Sequence, residues 1–310
     1  MSWLITGANG YIGRHVADHL CRLEKHLTLT DLHPNPKFSN LSLPCNYAAL
    51  DLRDGNMLED FFKDYSFQGV IHLAGLKSVP ESFKSTENYF EANVRATETL
   101  LTLCEKYSVP RFIFASSAAV YARSHNGILD ESSPLQPSSP YGSNKLAAER
   151  LFSKFPSVNS IALRLFNVTG SAHSTLTDVH GTNLIPKIIS DLKTGETLSV
   201  YGGNFRTRDG TAERDFVDII DVVKTIEILI GKERWDPEIQ SLNVGSGKGY
   251  TVLEVISIIE KRISARIPLA ICDRREGDID RVIANTQRMQ HYLGFSPNQD
   301  LDAMVENLIP

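Results

Sequence analysis

The chain has 310 residues, 42% of them hydrophobic and 22% charged, with a formal net charge of -5 at neutral pH. That length suits one domain plus a smaller partner, and no stretch approaches the roughly 18 uninterrupted apolar residues of a membrane span. An acidic balance without a basic run offers nothing to a nucleic-acid backbone. Cys21, Cys45, Cys104 and Cys272 are scattered without CxxC spacing, which argues against a zinc site or a disulfide framework and suits a reducing compartment. The run from Met1 to Gly7 carries neither a charged leading segment nor a small-residue cleavage site, so the sequence reads as cytoplasmic.

Short β-rich runs alternate with helical stretches through the first half, the pattern of a parallel sheet covered on both faces. Strands are predicted at Trp3–Thr6, Leu27–Asp31, Tyr47–Asp51, Val70–Leu73, Arg111–Ala115 and Ser160–Leu163. The first runs into Thr6-Gly7-Ala8-Asn9-Gly10-Tyr11-Ile12-Gly13, a GxxGxxG turn that opens a helix. Glycines let such a turn tighten against a pyrophosphate, and the helix N-terminus supplies open N–H groups. Three glycines alone are a weak signal, but Asp31 ends the next strand about 20 residues on, as a Rossmann-type doubly wound α/β fold requires. A carboxylate there accepts ribose hydroxyls and repels a 2′-phosphate, which points to NAD over NADP. Asp51 and Leu52, closing the third strand, read either as adenine contacts or as an ordinary strand end. A helix over Tyr89–Tyr107 repeats Phe90, Val94, Thr97, Leu101 and Cys104 every three to four residues, a stripe that is either core or a dimer face, with core the default.

Further along, Tyr141-Gly142-Ser143-Asn144-Lys145 begins a helix after a Ser/Pro-rich loop, and its four-residue step sets phenol and ammonium on one face. A phenol near its usual pKa of ~10 is a poor base, but a neighbouring cation favours the phenolate. YxxxK also arises by chance as a surface pair. Ser116-Ser117, just past the fifth strand, shifts that weighting, because a serine at the carboxyl edge of a parallel sheet sits where substrates bind. The domain reading is an NAD-binding domain over 1–166, with a returning segment near 214–246, and a smaller, interleaved α/β substrate-binding region over 167–310.

These motifs together resemble the UDP-glucose 4-epimerase family of the extended short-chain dehydrogenase/reductase superfamily. The likeness rests on Gly7/Gly10/Gly13, on Ala115-Ser116-Ser117-Ala118-Ala119-Val120-Tyr121 and on Tyr141/Lys145, and it continues in order through Val70–Lys77, Arg164–Asn167, Asn183–Pro186 and Arg274–Asp278. It implies Ser117, Tyr141 and Lys145 as the catalytic set and a tightly bound NAD on Gly7, Gly10, Tyr11, Ile12, Gly13, Asp31, Asp51, Leu52, Leu73, Ala74, Gly75, Lys77, Asn93, Tyr141 and Lys145. The same likeness implies a UDP-sugar lined by Lys77, Ser117, Tyr141, Asn167, Asn183, Leu184, Tyr201, Arg214, Arg275, Asp278 and Val282, no metal, and a homodimer through the 89–107 and 141–155 helices. Dehydratases on this scaffold carry an Asp-Glu pair where this chain has Ala118 and Ala119, so 4-epimerisation through a 4-keto sugar fits better. The chain also departs from the family: the 170–182 loop is shorter, Ala122 replaces a glycine, and Val282 stands where some relatives have tyrosine. The smaller Val282 predicts room beside the sugar C2 for an N-acetyl group. A nucleotide-sugar reductase, an epimerase of a modified sugar and a non-catalytic NAD sensor remain the alternatives.

Overall fold

Trp3, Leu4 and Ile5 are all buried, and the strand they form, β1 (Ser2–Thr6), lies inside a seven-stranded sheet that leads directly into the glycine turn. The computed structural model describes residues 2–23, 25–34, 45–122, 127–178, 183–275, 278–298 and 300–309. The chain divides into two units, one of residues 1–122, 134–165 and 223–242, the other of 123–133, 166–222 and 243–310.

The first unit is an α/β Rossmann-type fold. After β1 come α1 (Tyr11–Arg22), β2 (Leu27–Asp31), β3 (Cys45–Ala49), α2 (Gly55–Asp64), β4 (Phe67–His72), α3 (Val79–Lys84) and α4 (Thr86–Phe90). They are followed by α5 (Ala96–Lys106), β5 (Arg111–Ser117), α6 (Pro140–Leu151), β6 (Asn159–Leu165) and β7 (Ser241–Val244). The sheet order is β7-β6-β5-β4-β1-β2-β3, and β1 pairs in parallel with both β2 and β4. Chain order reverses at β1, which puts the glycine turn at the switch point where open α/β sheets bind ligands. Central strands covered on both faces read as continuous apolar runs, as β1 and β5 do.

The predicted helix over 89–107 is broken by a π-turn at Glu91–Arg95, between α4 and α5. Its stripe serves the core of this unit: Val94, Thr97, Leu101 and Cys104 are buried, the apolar ones beside Leu58, Phe62 and Phe67. The third strand starts two residues earlier than the sequence suggests, so Asp51 falls beyond β3. Apolar alternation continues through Leu50 and Leu52 and does not mark where pairing stops. Spacing in the sequence does not show that Cys21 of α1 and Cys45 of β3 lie side by side, with Cα atoms 7.4 Å apart, beyond the reach of a relaxed disulfide. It is topology that brings the end of α1 beside the start of β3.

The second unit holds a sheet in the order Gly249–Thr251, Glu213–Asp218, Arg281–Ala284, Ile128–Leu129, with Asn167–Thr169 also pairing to Glu213–Asp218. Strands Leu198–Tyr201 and Leu269–Cys272 pair in parallel. Helices Leu184–Thr194 and Val252–Ile263 share one apolar core through Ile185, Ile188, Val255 and Ile259, and the second is closed by a Thr251/Glu254 capping box. Asp215 is the polar pin of this unit. Its Oδ1 accepts from Ser246 N (2.7 Å) and Oγ (2.8 Å), and its Oδ2 from Gly247 N (2.9 Å) and Ala284 N (3.0 Å). Burial nonetheless pushes the Asp215 carboxyl up to about 6. Among the described residues no helix is long and apolar enough to cross a membrane.

Candidate active site

The glycine turn is shaped by close backbone approaches. Gly7 has φ +70°, and a Cβ on it would stand 2.6 Å from Ala74 N; one on Gly13 would stand 2.1 Å from Gly7 O. Gly10 N donates to Gly7 O (3.0 Å), and no side chain caps the N-terminus of α1 at Gly10. The result is a helix start held open to an anion, with Tyr11 and Ile12 as its first residues. Asp31 Oδ2 accepts Asn9 N (3.0 Å) and its Oδ1 accepts His33 N (3.2 Å), which fixes the acid against the turn. The residues present therefore fit the diphosphate and ribose of a dinucleotide. Asp51 is engaged by Arg53 (2.6 Å), whose guanidinium holds the carboxyl below its ordinary value, and Leu52 is buried.

The end of β4 forms the next wall. Leu73 N donates to Thr6 O (3.2 Å) and Ala74 N to Thr6 Oγ1 (3.3 Å). Asn93, buried in the π-turn, spends its amide on Leu76, accepting Leu76 N (2.8 Å) and donating to Leu76 O (3.0 Å). It therefore holds the 73–77 segment in shape. A Cβ on Gly75 would lie 3.5 Å from Lys145 Nζ, so this loop passes directly over the ammonium, while Lys77 is exposed. Beneath runs a chain that sequence reading missed: His72 is wholly buried, bonded to Thr6 Oγ1 (2.7 Å) and Thr97 Oγ1 (3.0 Å). Burial, with Lys145 nearby, pushes His72 down to about 3, so it stays neutral.

Ser117, Tyr141 and Lys145 come together. β5 runs through Ser117, whose Oγ accepts Ala119 N (3.2 Å) and starts the turn Ala118–Val120. α6 packs against that turn at Gly142, where a Cβ would meet Ala119 O at 2.3 Å, and this approach brings Tyr141 to Ser117. Burial raises the Tyr141 phenol, and its hydrogen bond from Ser117 works the other way. Lys145 Nζ donates to Ala115 O (2.8 Å) and lies 5.9 Å from the centroid of the Tyr141 ring. Burial lowers Lys145 to about 8, opposed by Glu149. A cation of that strength beside a phenol is an arrangement for moving one proton near neutral pH.

In the second unit, strand register sets Arg214 opposite Val282. Arg214 Nη1 donates to Ile279 O (2.8 Å) and Nη2 stands 4.0 Å from Asp278 Oδ1. Burial pushes the Arg214 guanidinium down, opposed by Asp278 and Asp280. Asn167 pairs with Phe216 two residues along the same strand. Arg275 lies 3.8 Å over the Tyr201 ring. Asn183 and Leu184 open the helix Leu184–Thr194, and no side chain caps it at Asn183. Of the motif Arg274–Asp278, residues 276 and 277 lie outside the described residues, as do 179–182 of the shortened loop.

Residues 3–245 match the model of the NAD dependent epimerase/dehydratase family. The chain belongs to that family. This family member is 32% identical to a human UDP-glucose 4-epimerase over 98% of the chain and 94% of the relative. A Stenotrophomonas maltophila UDP-glucose-4-epimerase, solved with NAD and formylated UDP-arabinopyranose, superposes at TM-score 0.92 with 28% identity, covering 99% of this chain and 96% of that one. A Methanobrevibacter ruminantium UDP-N-acetylglucosamine 4-epimerase, in complex with UDP-N-acetylmuramic acid, superposes at 0.84 with 28% identity over 99% of this chain and 96% of that one.

Proposed function

We propose that the protein is an NAD-dependent 4-epimerase of UDP-hexoses, interconverting UDP-galactose and UDP-glucose, with UDP-GalNAc and UDP-GlcNAc as a second pair. The observation that carries this reading is Ser117 hydrogen-bonded to Tyr141, with Lys145 Nζ 5.9 Å from the centre of the Tyr141 ring, beside alanines at 118 and 119. Tyr141 takes the proton of the sugar C4 hydroxyl and later returns it, with Ser117 passing it on or polarising the ketone oxygen. Lys145 holds the phenolate by its charge. Ala118 and Ala119 supply no acid or base for expelling water, so the 4-keto sugar goes on by taking the hydride back at C4 on its other face and the proton back from Tyr141, which gives the 4-epimer. Bound on the Gly7–Gly13 turn, with Asp31 at the adenosine ribose, NAD supplies a reversible hydride acceptor and is regenerated in each turnover. Arg214 and Arg275 suit the diphosphate, and Asn167 and Asn183 suit hydroxyl and uracil edges. The protein works as a cytoplasmic homodimer; sedimentation at micromolar concentration giving a monomer would remove that part of the proposal.

The pH dependence follows from Lys145. Its ammonium is lowered to about 8. Below that value it is charged and favours the phenolate; as pH rises through it the charge is lost, so turnover should fall on the alkaline side from about pH 8. The deciding experiment uses purified protein without added cofactor, given UDP-galactose or UDP-GalNAc and followed by NMR. Formation of the matching gluco-epimers is expected. No reaction, even with NAD⁺ added to protein that binds it, would move the search to modified sugars or to reductase chemistry.

A further inference from the structure

We propose that Glu149 is the positioning residue of the Ser117–Tyr141–Lys145 centre: a single carboxylate that holds the end of β5 through Ser116 and serves as the counter-charge of Lys145. The proposal rests on the roles given above to Tyr141 and Lys145. Along α6, Tyr141, Lys145 and Glu149 follow at steps of four and so share a face.

The Glu149 side chain is 8% exposed and that of its partner Arg164 is 5% exposed. Oε2 of Glu149 accepts Arg164 Nη2 (2.7 Å) and Oε1 accepts Nε (3.2 Å). Oε1 also accepts the hydroxyl of Ser116, the residue before Ser117. Arg164 stands opposite Ser116 in the β5–β6 register and donates to Tyr121 Oη (3.0 Å). One carboxylate thus ties together the ends of β5 and β6 and the last turn of α6, all within the first unit.

A buried ion pair adds little stability over apolar residues of the same volume, so stability alone does not explain this one. Its position does. The charged and titratable groups facing Lys145 are Tyr141 and Glu149 on its own helix and His72 from β4. His72 is held neutral, which leaves Glu149 as the anion acting on the ammonium. Facing Glu149 are Ser116 from β5, Arg164 from β6 and Lys145. Without the carboxylate, burial would act on Lys145 unopposed, its ammonium would be lost at lower pH, and the Tyr141 phenolate would form at higher pH.

Glu149→Gln alone leaves Arg164 buried and unpaired, so the decisive variant is Glu149→Gln/Arg164→Met, which removes both charges. Two readings are made on NAD-loaded protein. One is the ultraviolet titration of the Tyr141 phenolate, taken as the difference from the same background carrying Tyr141→Phe. The other is kcat and KM for UDP-galactose against pH. The double variant should fold, with the alkaline limb of kcat about one pH unit lower, the phenolate appearing at higher pH, and KM unchanged. A phenolate titration and alkaline limb like those of the wild type would overturn the proposal and reduce Glu149 to a partner for Arg164. Should the double variant not fold, Glu149→Asp decides: drawn back by one methylene, the carboxylate acts more weakly on Lys145 and the limb moves down, whereas an unmoved limb overturns the proposal. Protein that turns over no UDP-sugar but shows the displaced phenolate refutes the epimerase reading and supports this one.

Discussion

The candidate residues of the two units differ in how their polar atoms are satisfied. In the first unit Lys145, Asn93, His72 and Ser116 are buried, and each is committed to named partners. In the second, Asn167, Asn183, Tyr201 and Arg275 are exposed, and Arg214, half-buried, is held through the carbonyls of Glu213 and Ile279. Burial makes geometry expensive to disturb, because an orphaned polar group forfeits its solvation. Proton transfer needs that rigidity, whereas recognition of a sugar nucleotide tolerates adjustable side chains. The first unit should therefore lose rate on substitution, and the second should lose affinity or selectivity.

The sharpest break of this comparison is Tyr141→Phe, which should lower the single-turnover chemical rate by roughly 10²–10⁴-fold while NAD stays bound through gel filtration. Near-normal turnover would sink the role given to the phenol. Gly142→Ala comes next: its Cβ would meet Ala119 O at 2.3 Å and push α6 off the Ser117 turn, with a loss on the order of 10²-fold in kcat. An unaffected kcat would mean that the close approach does not place Tyr141.

Asp215→Asn tests the second unit as a scaffold. An amide set among backbone donors leaves donors unpaired, at about 1–3 kcal/mol each, to be read as a lower denaturant midpoint. Because burial raises Asp215 from 3.8 to about 6, the folded chain binds more protons at this group than the unfolded chain between those values. Its contribution to stability is therefore full below pH 3.8 and is lost as pH rises through 6, and the Asn variant should flatten that slope. Smaller still is Val282→Tyr, expected to cut turnover of UDP-GalNAc relative to UDP-galactose by about tenfold; an unchanged ratio would remove Val282 from specificity. Arg275→Ala should raise KM by no more than about fivefold at constant kcat, as suits an exposed charge.

Local spacing made much of the first unit readable. Gly7, Gly10, Gly13 and Asp31 announce a nucleotide turn because each acts through its own backbone or at a strand end. Tyr141 and Lys145 are legible because a helix converts a step of four into proximity. The same step leads from Lys145 to Glu149, a signal that sequence reading had available and passed over. Asn93 is named by the family resemblance, but nothing local shows that its amide is spent on Leu76 from within a π-turn, and nothing local fixes the start of β3 at Cys45.

By itself, then, the sequence determined the alternation of strands and helices, the glycine turn, the acid at the end of β2 and the Tyr–Lys face, all of which are encoded over a few residues or by strand-then-helix order. Tertiary structure alone decided that Ser116 and Arg164, 33 and 15 residues from Glu149, converge on one carboxylate, that His72 is neutral, that Cys21 lies beside Cys45, and that Arg214 faces Val282. The physical reason is common to all four. Each depends on which strand lies beside which and on how much water burial removes, and neither is a property of neighbours along the chain.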